Sequence, residues 1–328
     1  MNRPSHLRRT LFALALSLLS LPFAGAQAPA YPTRAVSIIV GTEPGGAPDI
    51  LARLLATRLS DKLGKQFIVE NKPGAAGMVG ARLAAGAPAD GHTLFLGTVA
   101  TNAIVASAYK QPGYDPASSF APVSMVASVP LIVVVNPTLG VSTIDEFVRL
   151  AKSKPGALNY STPGIGGPQH LSTELFAAKA GIKLVHIPYK GGAGAVQAVL
   201  ANEVAVFFSG MPPALPHIRA DKLKALAVTT KVRASAAPST PTIGEAGYAG
   251  FEADNWHALF APAKTPDVIV AKLNEALTQI LALPEVREQM LRSGAEAMSS
   301  TPAALRDFVE LEIRKWAQVV KQAGIEPQ

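Results

Sequence analysis

The chain has 328 residues, of which 48% are hydrophobic and 16% charged, so it is too apolar for a disordered protein and long enough for two domains. Its formal net charge is +7 at pH 7, but no run of residues concentrates this charge, so a nucleic-acid-binding role has no support. Cysteine is absent, which excludes disulfides, thiol nucleophiles, Cys-ligated zinc and iron–sulfur clusters.

Residues 1–26 have the pattern of a secretory signal peptide. Three arginines within residues 1–9 precede an uncharged apolar stretch over 11–21, and small residues follow at 24–26. A membrane-spanning helix needs about 20 apolar residues, and this stretch is much shorter. We therefore predict cleavage after Ala26 and export to the periplasm. No later stretch of the sequence is long and apolar enough to span a bilayer.

The first part of the mature chain alternates strands, glycine-rich loops and helices. Residues 36–40 form a predicted buried strand that runs into a loop over 41–49, and apolar residues then recur at helical spacing from Ile50 to Leu59. A second strand, a second glycine-rich loop, a helix and a third strand are predicted at 67–69, 71–77, 79–85 and 93–97. This β-α-β-α-β order predicts a mainly parallel sheet covered by helices on both faces.

The same order of strand, glycine-rich loop and helix returns after residue 130. Strands are predicted at 131–135, 158–161, 184–187, 204–208 and 223–229, and helices at 144–153, 168–180 and 193–201. The composition of 238–250, rich in proline and glycine, is typical of a crossing segment, and amphipathic helices follow at 267–283, 284–293 and 302–323. Two α/β lobes with a cleft between them are predicted, and such sheets bind ligands beyond the carboxyl ends of their strands.

The loop that contains Gly45, Gly46 and Asp49 has two interpretations. Glycine lets backbone amides approach a ligand closely, and the dipole of the following helix favours an anion there. Alternatively, the loop is a tight turn and Asp49 caps the helix. Neither G-x-G-x-x-G nor G-x-x-x-x-G-K-[ST] occurs in this loop, so it is neither a dinucleotide nor a P-loop site.

Residues 161–170 provide a second possible anion site, with the Thr162 hydroxyl and glycine-loop amides at the start of a helix. His170 falls in the first turn of that helix, where we expect a structural hydrogen bond. The other histidines lack metal-ligand spacing, and no G-x-S-x-G elbow or carboxylate pair indicates an active site. The sequence therefore predicts a protein that is not an enzyme and holds no metal or other cofactor. We expect Trp256 to pack in the core or between the lobes.

Six motifs occur in order along nearly all of the mature chain. They read Pro44-Gly45-Gly46-x-x-Asp49-x-x-Ala52-Arg53, Val69-Glu70-Asn71-Lys72-Pro73-Gly74-Ala75, Asp90-Gly91-x-Thr93-Leu94, Tyr160-Ser161-Thr162-x-Gly164-x-Gly166-x-x-x-His170-Leu171, Pro188-Tyr189-Lys190-Gly191 and Ala261-Pro262-x-x-Thr265-Pro266. Together they resemble the Bug family, the extracytoplasmic solute receptors of tripartite tricarboxylate transporters.

The resemblance implies an α/β fold, that of a two-lobed periplasmic binding protein of type II. Each lobe would be a mainly parallel sheet flanked by helices, and the chain would cross between the lobes twice. Lobe one would comprise residues 27–128 with 252–328, and lobe two residues 129–251.

Members of this family close around a small carboxylate, which glycine loops and ordered waters hold. By resemblance, the ligand-binding residues of lobe one are Pro44, Gly45, Gly46, Asp49, Thr98, Thr101 and Asn102, and those of lobe two are Thr162, Gly164, Gly167 and Tyr189.

Three further features depart from the pattern of the family. Glu43 stands where a small apolar residue is common, and its carboxylate would either repel a second ligand carboxylate or hold a ligand amine. Gly167 stands where the family usually has Ser or Thr, so one hydroxyl donor is missing. Ser209 stands where an aspartate is typical, and it leaves a neutral hydrogen-bonding group in the site.

The implied function is that of a periplasmic receptor. It would capture a dicarboxylate, a tricarboxylate, an acidic amino acid or an aromatic acid between its lobes and deliver it to a membrane permease of the tripartite tricarboxylate transporter class. The alternatives are a ligand sensor for a membrane signalling kinase and a secreted α/β enzyme. We expect a monomer, as is natural for a receptor that closes about a hinge.

Overall fold

Two β-sheets, of six and five strands, organise the chain in a computed structural model, which describes residues 31–189 and 191–327. The predicted signal peptide lies outside the described residues. None of the helices in the part of the chain that the structure describes has the length and apolarity needed to cross a membrane.

Eleven strands form the two sheets. They are β1 (Val36–Val40), β2 (Phe67–Asn71), β3 (Thr93–Thr98), β4 (Phe120–Ser128), β5 (Leu131–Val135), β6 (Asn159–Thr162), β7 (Val185–Pro188), β8 (Val206–Gly210), β9 (Lys224–Val228), β10 (His257–Pro262) and β11 (Glu296–Ala297). The six-stranded sheet has the order β11-β4-β10-β3-β1-β2, and the five-stranded sheet has the order β7-β6-β8-β5-β9. All five residues of β5 are buried, as its unbroken β-branched and apolar sequence predicts for a strand covered on both faces.

In the described residues, ten α-helices flank the sheets. They are α1 (Ala47–Leu63), α2 (Met78–Ala85), α3 (Val105–Ala108), α4 (Ile144–Ser153), α5 (Pro168–Ala180), α6 (Gly191–Leu200), α7 (Met211–Arg219), α8 (Asp267–Ala282), α9 (Pro284–Arg292) and α10 (Pro302–Gln322). In α1 the apolar residues Leu51, Leu55 and Leu59 recur every four positions and are buried, so they form the face that packs in the core. The helix ends at Gly64, which adopts the left-handed conformation that favours glycine.

Most strands of each sheet run in one direction, as predicted, but strands that run the opposite way make both sheets mixed. In the larger sheet β1 is parallel to β2 and β3, but β10 is antiparallel to β3 and β4. In the smaller sheet β6 is parallel to β7 and β8, but β5 is antiparallel to β8 and β9. β5 and β10 are the strands that enter a sheet from the other one. Each of them therefore runs opposite to those strands of its own sheet whose carboxyl ends point toward the other sheet.

The two crossings between the sheets lie side by side. Pro130, which separates β4 from β5, forms an antiparallel bridge with Asp254 on the returning segment. The Ser128 hydroxyl donates to a carboxylate oxygen of Asp254 at 2.7 Å, and the Val129 amide donates to the Asn255 carbonyl at 3.3 Å. The crossings are thus hydrogen-bonded to each other.

Trp256 ends the returning segment and is fully buried, as expected. Its indole N–H donates to Glu312 of α10 at 2.9 Å, and the indole of Trp316 donates to the same carboxylate oxygen at 2.9 Å. The ammonium group of Lys315 lies 2.5 Å from the other oxygen of Glu312. This buried carboxylate therefore joins the last helix to the crossing.

Several elements were not expected from the sequence. β4 contains Pro122, β11 has two residues, and α7 contains three prolines. Two of these prolines, Pro212 and Pro213, lie in the first turn of α7, where backbone N–H groups have no partner within the helix. The third, Pro216, lies inside the helix.

Candidate functional site

A cavity of about 680 Å³ lies between the two sheets. In the larger sheet it is lined by residues at or after the ends of β1, β2 and β3, and in the smaller sheet by residues 163–169, after β6. These four strands present their carboxyl ends to the cavity, which is where ligands of open α/β sheets bind. A cavity of about 720 Å³ lies elsewhere, entirely within residues 137–246, so it involves only the smaller sheet and none of the glycine loops described above.

Five of the predicted site residues line the cavity between the sheets: Glu43, Thr98, Thr101, Gly164 and Gly167. The others do not line it: Pro44, Gly45, Gly46, Asp49, Asn102, Thr162, Tyr189 and Ser209. Three of the latter, Pro44, Asn102 and Thr162, are neighbours in sequence of lining residues, and the hydrogen bonds of several of the eight explain their positions.

Asp49 is only 3% exposed, and its carboxylate holds the loop after β1 by hydrogen bonds. One of its oxygens accepts from the Gly45 amide at 2.9 Å and from Arg53 Nε at 3.0 Å, and the other accepts from Asn71 Nδ2 at 3.0 Å. Burial by itself raises the pKa of Asp49, but the hydrogen bonds from Arg53, Gly45 and Asn71 lower it below its ordinary value. The carboxylate therefore stabilises the turn at Gly45, whose φ is +86°, as the tight-turn interpretation predicted, but Asp49 is not the helix cap, because the N-cap is Gly46 and has no side-chain cap.

The turn after β3 is held by its own hydroxyl groups. The Thr98 amide donates to Thr101 Oγ1 at 3.0 Å, and that hydroxyl donates to Asn102 Oδ1 at 2.8 Å. Asn102 is fully buried behind the turn, which is part of a π-helix over Ala100–Ile104. Thr98 and Thr101 thus line the cavity, whereas Asn102 supports them.

Three buried polar atoms in the half of the molecule built on the larger sheet lack a hydrogen-bond partner among the described residues. They are the hydroxyl oxygen of Thr42, Nδ2 of Asn102 and Nδ1 of His257. Thr42 lines the cavity. Since buried polar groups are nearly always paired, the unpaired Thr42 hydroxyl is a group that a ligand or a water can satisfy.

On the other side of the cavity, histidines brace the loop 162–167. The Thr162 hydroxyl lies 2.6 Å from His186 Nε2 and donates to the Gly164 carbonyl at 2.7 Å, and the Gly166 amide donates to His170 Nδ1 at 3.0 Å. The two imidazole rings stack with centroids 4.0 Å apart. Burial, together with the neighbouring His186, lowers the pKa of His170 to about 4. His170 is thus neutral and makes the structural hydrogen bond that we predicted.

The first turn of α5 faces the cavity with free backbone donors. Gly167 is the N-cap and offers no side-chain cap, and Pro168 opens the helix. The amides of this turn have no partner within the helix, and the dipole makes its end electropositive. The amides of this helix start and the unpaired Thr42 hydroxyl therefore lie on two sides of one cavity, an arrangement suited to an anion.

The cavity offers little for catalysis or metal binding. Among its described lining residues Glu43 is the only charged side chain, and the described part of the chain has no cluster of three His, Cys, Asp or Glu that could hold a metal. Ser209 and Tyr189 bond elsewhere: the Ser209 hydroxyl donates to the Gly210 carbonyl at 2.9 Å, and the Tyr189 hydroxyl lies 3.3 Å from Glu203 Oε2.

Sequence reasoning missed part of the lining, including Thr42, Phe95, Tyr109, Gln169 and residues 73–77. The last of these had a usable signal, because 71–77 is a glycine-rich loop after a strand adjacent to β1. Tyr109 follows the short helix α3, and no local pattern indicates that it reaches the cavity.

The chain is similar to proteins of one family over most of its length. The family model described as the tripartite tricarboxylate transporter family receptor matches residues 51–325. The protein BugT of Bordetella pertussis is 38% identical over 295 residues, which are 90% of this chain and 90% of that protein. A structure of an R. palustris protein with adipate has a TM-score of 0.83 and 36% identity, and the match covers 91% of this chain and 100% of that one. The periplasmic binding protein BugD has a TM-score of 0.79 and 35% identity, with coverage of 91% and 100%.

Proposed function

Because this chain belongs to the tripartite tricarboxylate transporter receptor family, as its resemblance to Bug proteins predicts, we propose that it is a periplasmic receptor that binds a small carboxylate between its two sheets. The family consists of solute receptors, and a relative with 36% identity has been solved with adipate. The bound solute would then pass to a membrane permease of the same transporter class.

The observation that carries this proposal is the cavity itself. It joins the uncapped start of α5, in the smaller sheet's half, to the threonine hydroxyls at 42, 98 and 101 in the other half. Amide and hydroxyl donors that converge from two sides can hold a carboxylate without a cationic side chain. We propose Thr42, Thr98, Thr101, Gly164 and Gly167 as the residues that contact it.

The location and the motion of the receptor belong to the same proposal. Residues 1–26 would be removed during export, and the mature protein would act in the periplasm as a monomer. Lobe one would comprise residues 27–128 with 252–328, and lobe two residues 129–251. The lobes would close about the paired crossings, as two-lobed receptors do around a ligand.

The proposal is tested by ligand binding to mature protein, residues 27–328, after unfolding and refolding to remove any solute carried from the cells. Mono-, di- and tricarboxylates, acidic amino acids and aromatic acids are added at 1 mM, and thermal unfolding is recorded. A micromolar ligand adds about 4 kcal/mol at this concentration, which raises the melting temperature by several degrees. Calorimetry then gives the Kd of each hit.

The matched pair Gly164→Leu and Gly86→Leu locates the site. Neither glycine has a positive φ, and a Cβ on either meets no atom closer than 3.5 Å, so both variants should fold. Gly164 lines the cavity and Gly86 ends α2 outside it. We expect Gly164→Leu to weaken binding at least tenfold and Gly86→Leu to leave it unchanged. A panel without any hit, or equal binding by both variants, would contradict the proposal.

A further inference from the structure

The charged side chain that lines the cavity is negative, whereas a site for a multiply charged anion requires positive charge. Glu43 is the third residue after β1, is exposed, and is the only charged side chain among the described lining residues. Within the described ranges, 31–189 and 191–327, its carboxylate belongs to no salt bridge. Basic side chains of the neighbouring segments are paired elsewhere: Arg53 with Asp49 at 2.9 Å, and Lys72 with Glu70 at 3.1 Å.

The donors that line the cavity are neutral. They are the amides at the start of α5, across the cavity from Glu43, and threonine hydroxyls on the same side as Glu43, and together they suit one carboxylate. A second carboxylate on the same small ligand would lie in the same cavity as the Glu43 carboxylate, where like charges repel and no described lining cation offsets them. An ammonium group in that position would instead form an ion pair.

We propose that Glu43 selects a ligand that carries an ammonium group in addition to its carboxylate, and that it disfavours the dicarboxylate of the same length. The ligand class is thus an amino acid or an ω-amino acid. This inference rests on the proposed function, because it assumes that a carboxylate binds at the start of α5. It assigns the ligand selectivity to one side chain, and the fold does not determine which residue stands at that position.

The test uses sets of ligands that are matched in length. Adipate, 6-aminohexanoate and hexanoate share a six-carbon chain and carry two carboxylates, one carboxylate with one ammonium, and one carboxylate alone. Succinate with 4-aminobutanoate and glutarate with 5-aminopentanoate extend the comparison to shorter chains. Calorimetry on refolded mature protein gives the Kd of each ligand for the wild type, for Glu43→Gln and for Glu310→Gln, which removes one exposed carboxylate on α10.

We expect the wild type to bind the ammonium-bearing member of at least one set at least tenfold more tightly than the dicarboxylate. Glu43→Gln should reduce this preference to less than threefold, by weakening the amino acid and strengthening the dicarboxylate. Glu310→Gln should keep the full preference. If the dicarboxylate binds as tightly in every set, or if Glu43→Gln retains the preference, the inference is wrong while the receptor function stands. If no carboxylate binds either the wild type or Glu43→Gln, the proposed function fails, and the inference fails with it.

Discussion

Replacing Asp254 by asparagine should stabilise the protein at alkaline pH. Asp254 lies at the crossing, bridged to Pro130. Burial, together with the nearby Glu312 and Glu252 carboxylates, raises the pKa of Asp254 from 3.8 to about 7, although the Ser128 hydroxyl and Lys315 favour the ionised form. Ionisation of this carboxyl therefore costs more in the folded protein than in the unfolded chain.

The size of this effect follows from the two pKa values. One pKa unit corresponds to about 1.36 kcal/mol, so the stability from the protonated carboxyl is fully present below about pH 4 and is lost as the pH rises through about 7. The loss is about 1.6 kcal/mol at pH 5 and about 4 kcal/mol at pH 8, as an upper limit. Asparagine cannot ionise, and its Oδ1 can still accept the hydrogen bond from Ser128.

The assay is urea unfolding of the wild type and of Asp254→Asn at pH 5 and pH 8. Whatever asparagine itself costs is common to both pH values, so the quantity of interest is the change in the difference between the two proteins. We expect Asp254→Asn to gain about 2–3 kcal/mol relative to the wild type between pH 5 and pH 8. The exposed Asp307, changed to asparagine, serves as the control and should show no such gain. A difference that does not change with pH would refute the argument.

Three further predictions follow from contacts described above. Glu312→Ala should lower the unfolding free energy by about 3–5 kcal/mol, because two buried indole N–H groups lose their acceptor. The control Glu310→Ala should lower it by less than about 0.5 kcal/mol. Equal losses for the two variants in urea unfolding would contradict this prediction. His170 has its pKa lowered from 6.5 to about 4 by burial and by His186, so its contribution to stability is present above about pH 6.5 and is lost as the pH falls toward 4, by up to about 3 kcal/mol. His170→Asn should therefore flatten the loss of stability between pH 6.5 and 4.5, and an unchanged pH profile would count against the assignment. Asp49→Ala should lower the unfolding free energy by about 2–4 kcal/mol, since the Gly45 amide, Asn71 and Arg53 lose a shared acceptor. Its ligand affinity, measured by calorimetry, should fall less than that of Gly164→Leu. The reverse order of affinities would indicate that Asp49 contacts the ligand.

The sequence predicted the elements whose local pattern is strong. β1 and β5 are largely or wholly apolar, and the helices at 144–153 and 168–180 begin after threonine and glycine, respectively. β4 and α7 were missed because their prolines contradict local rules, although β4 lies inside the larger sheet, between β10 and β11. Pairing across the sheet, which local patterns do not contain, decides such cases.

The candidate site was predicted to a similar extent. The two glycine loops were found, but the sequence does not tell whether a polar side chain points toward the cavity or behind it. Neither Thr162 nor Asp49 lines the cavity, because Thr162 bonds to His186 and Asp49 bonds to the Gly45 amide. The histidine stack depends on the register of β6 against β7, which places Tyr160 opposite His186, so only the assembled sheet brings these rings together.

The smaller sheet takes all of its strands from the uninterrupted stretch 131–228, whereas the larger sheet is assembled from segments on either side of that stretch. The half of the cavity that belongs to the smaller sheet is therefore encoded by one continuous stretch of the gene. A single recombination event with junctions in the paired crossings can exchange the α5 half for that of another gene, while Glu43 and the threonines stay in place. The packing of α10 against α5 is the constraint that such an exchange must respect, because these helices belong to different halves. The two halves of one pocket can thus diverge separately, and new combinations of ligand preference can arise by shuffling as well as by point substitution.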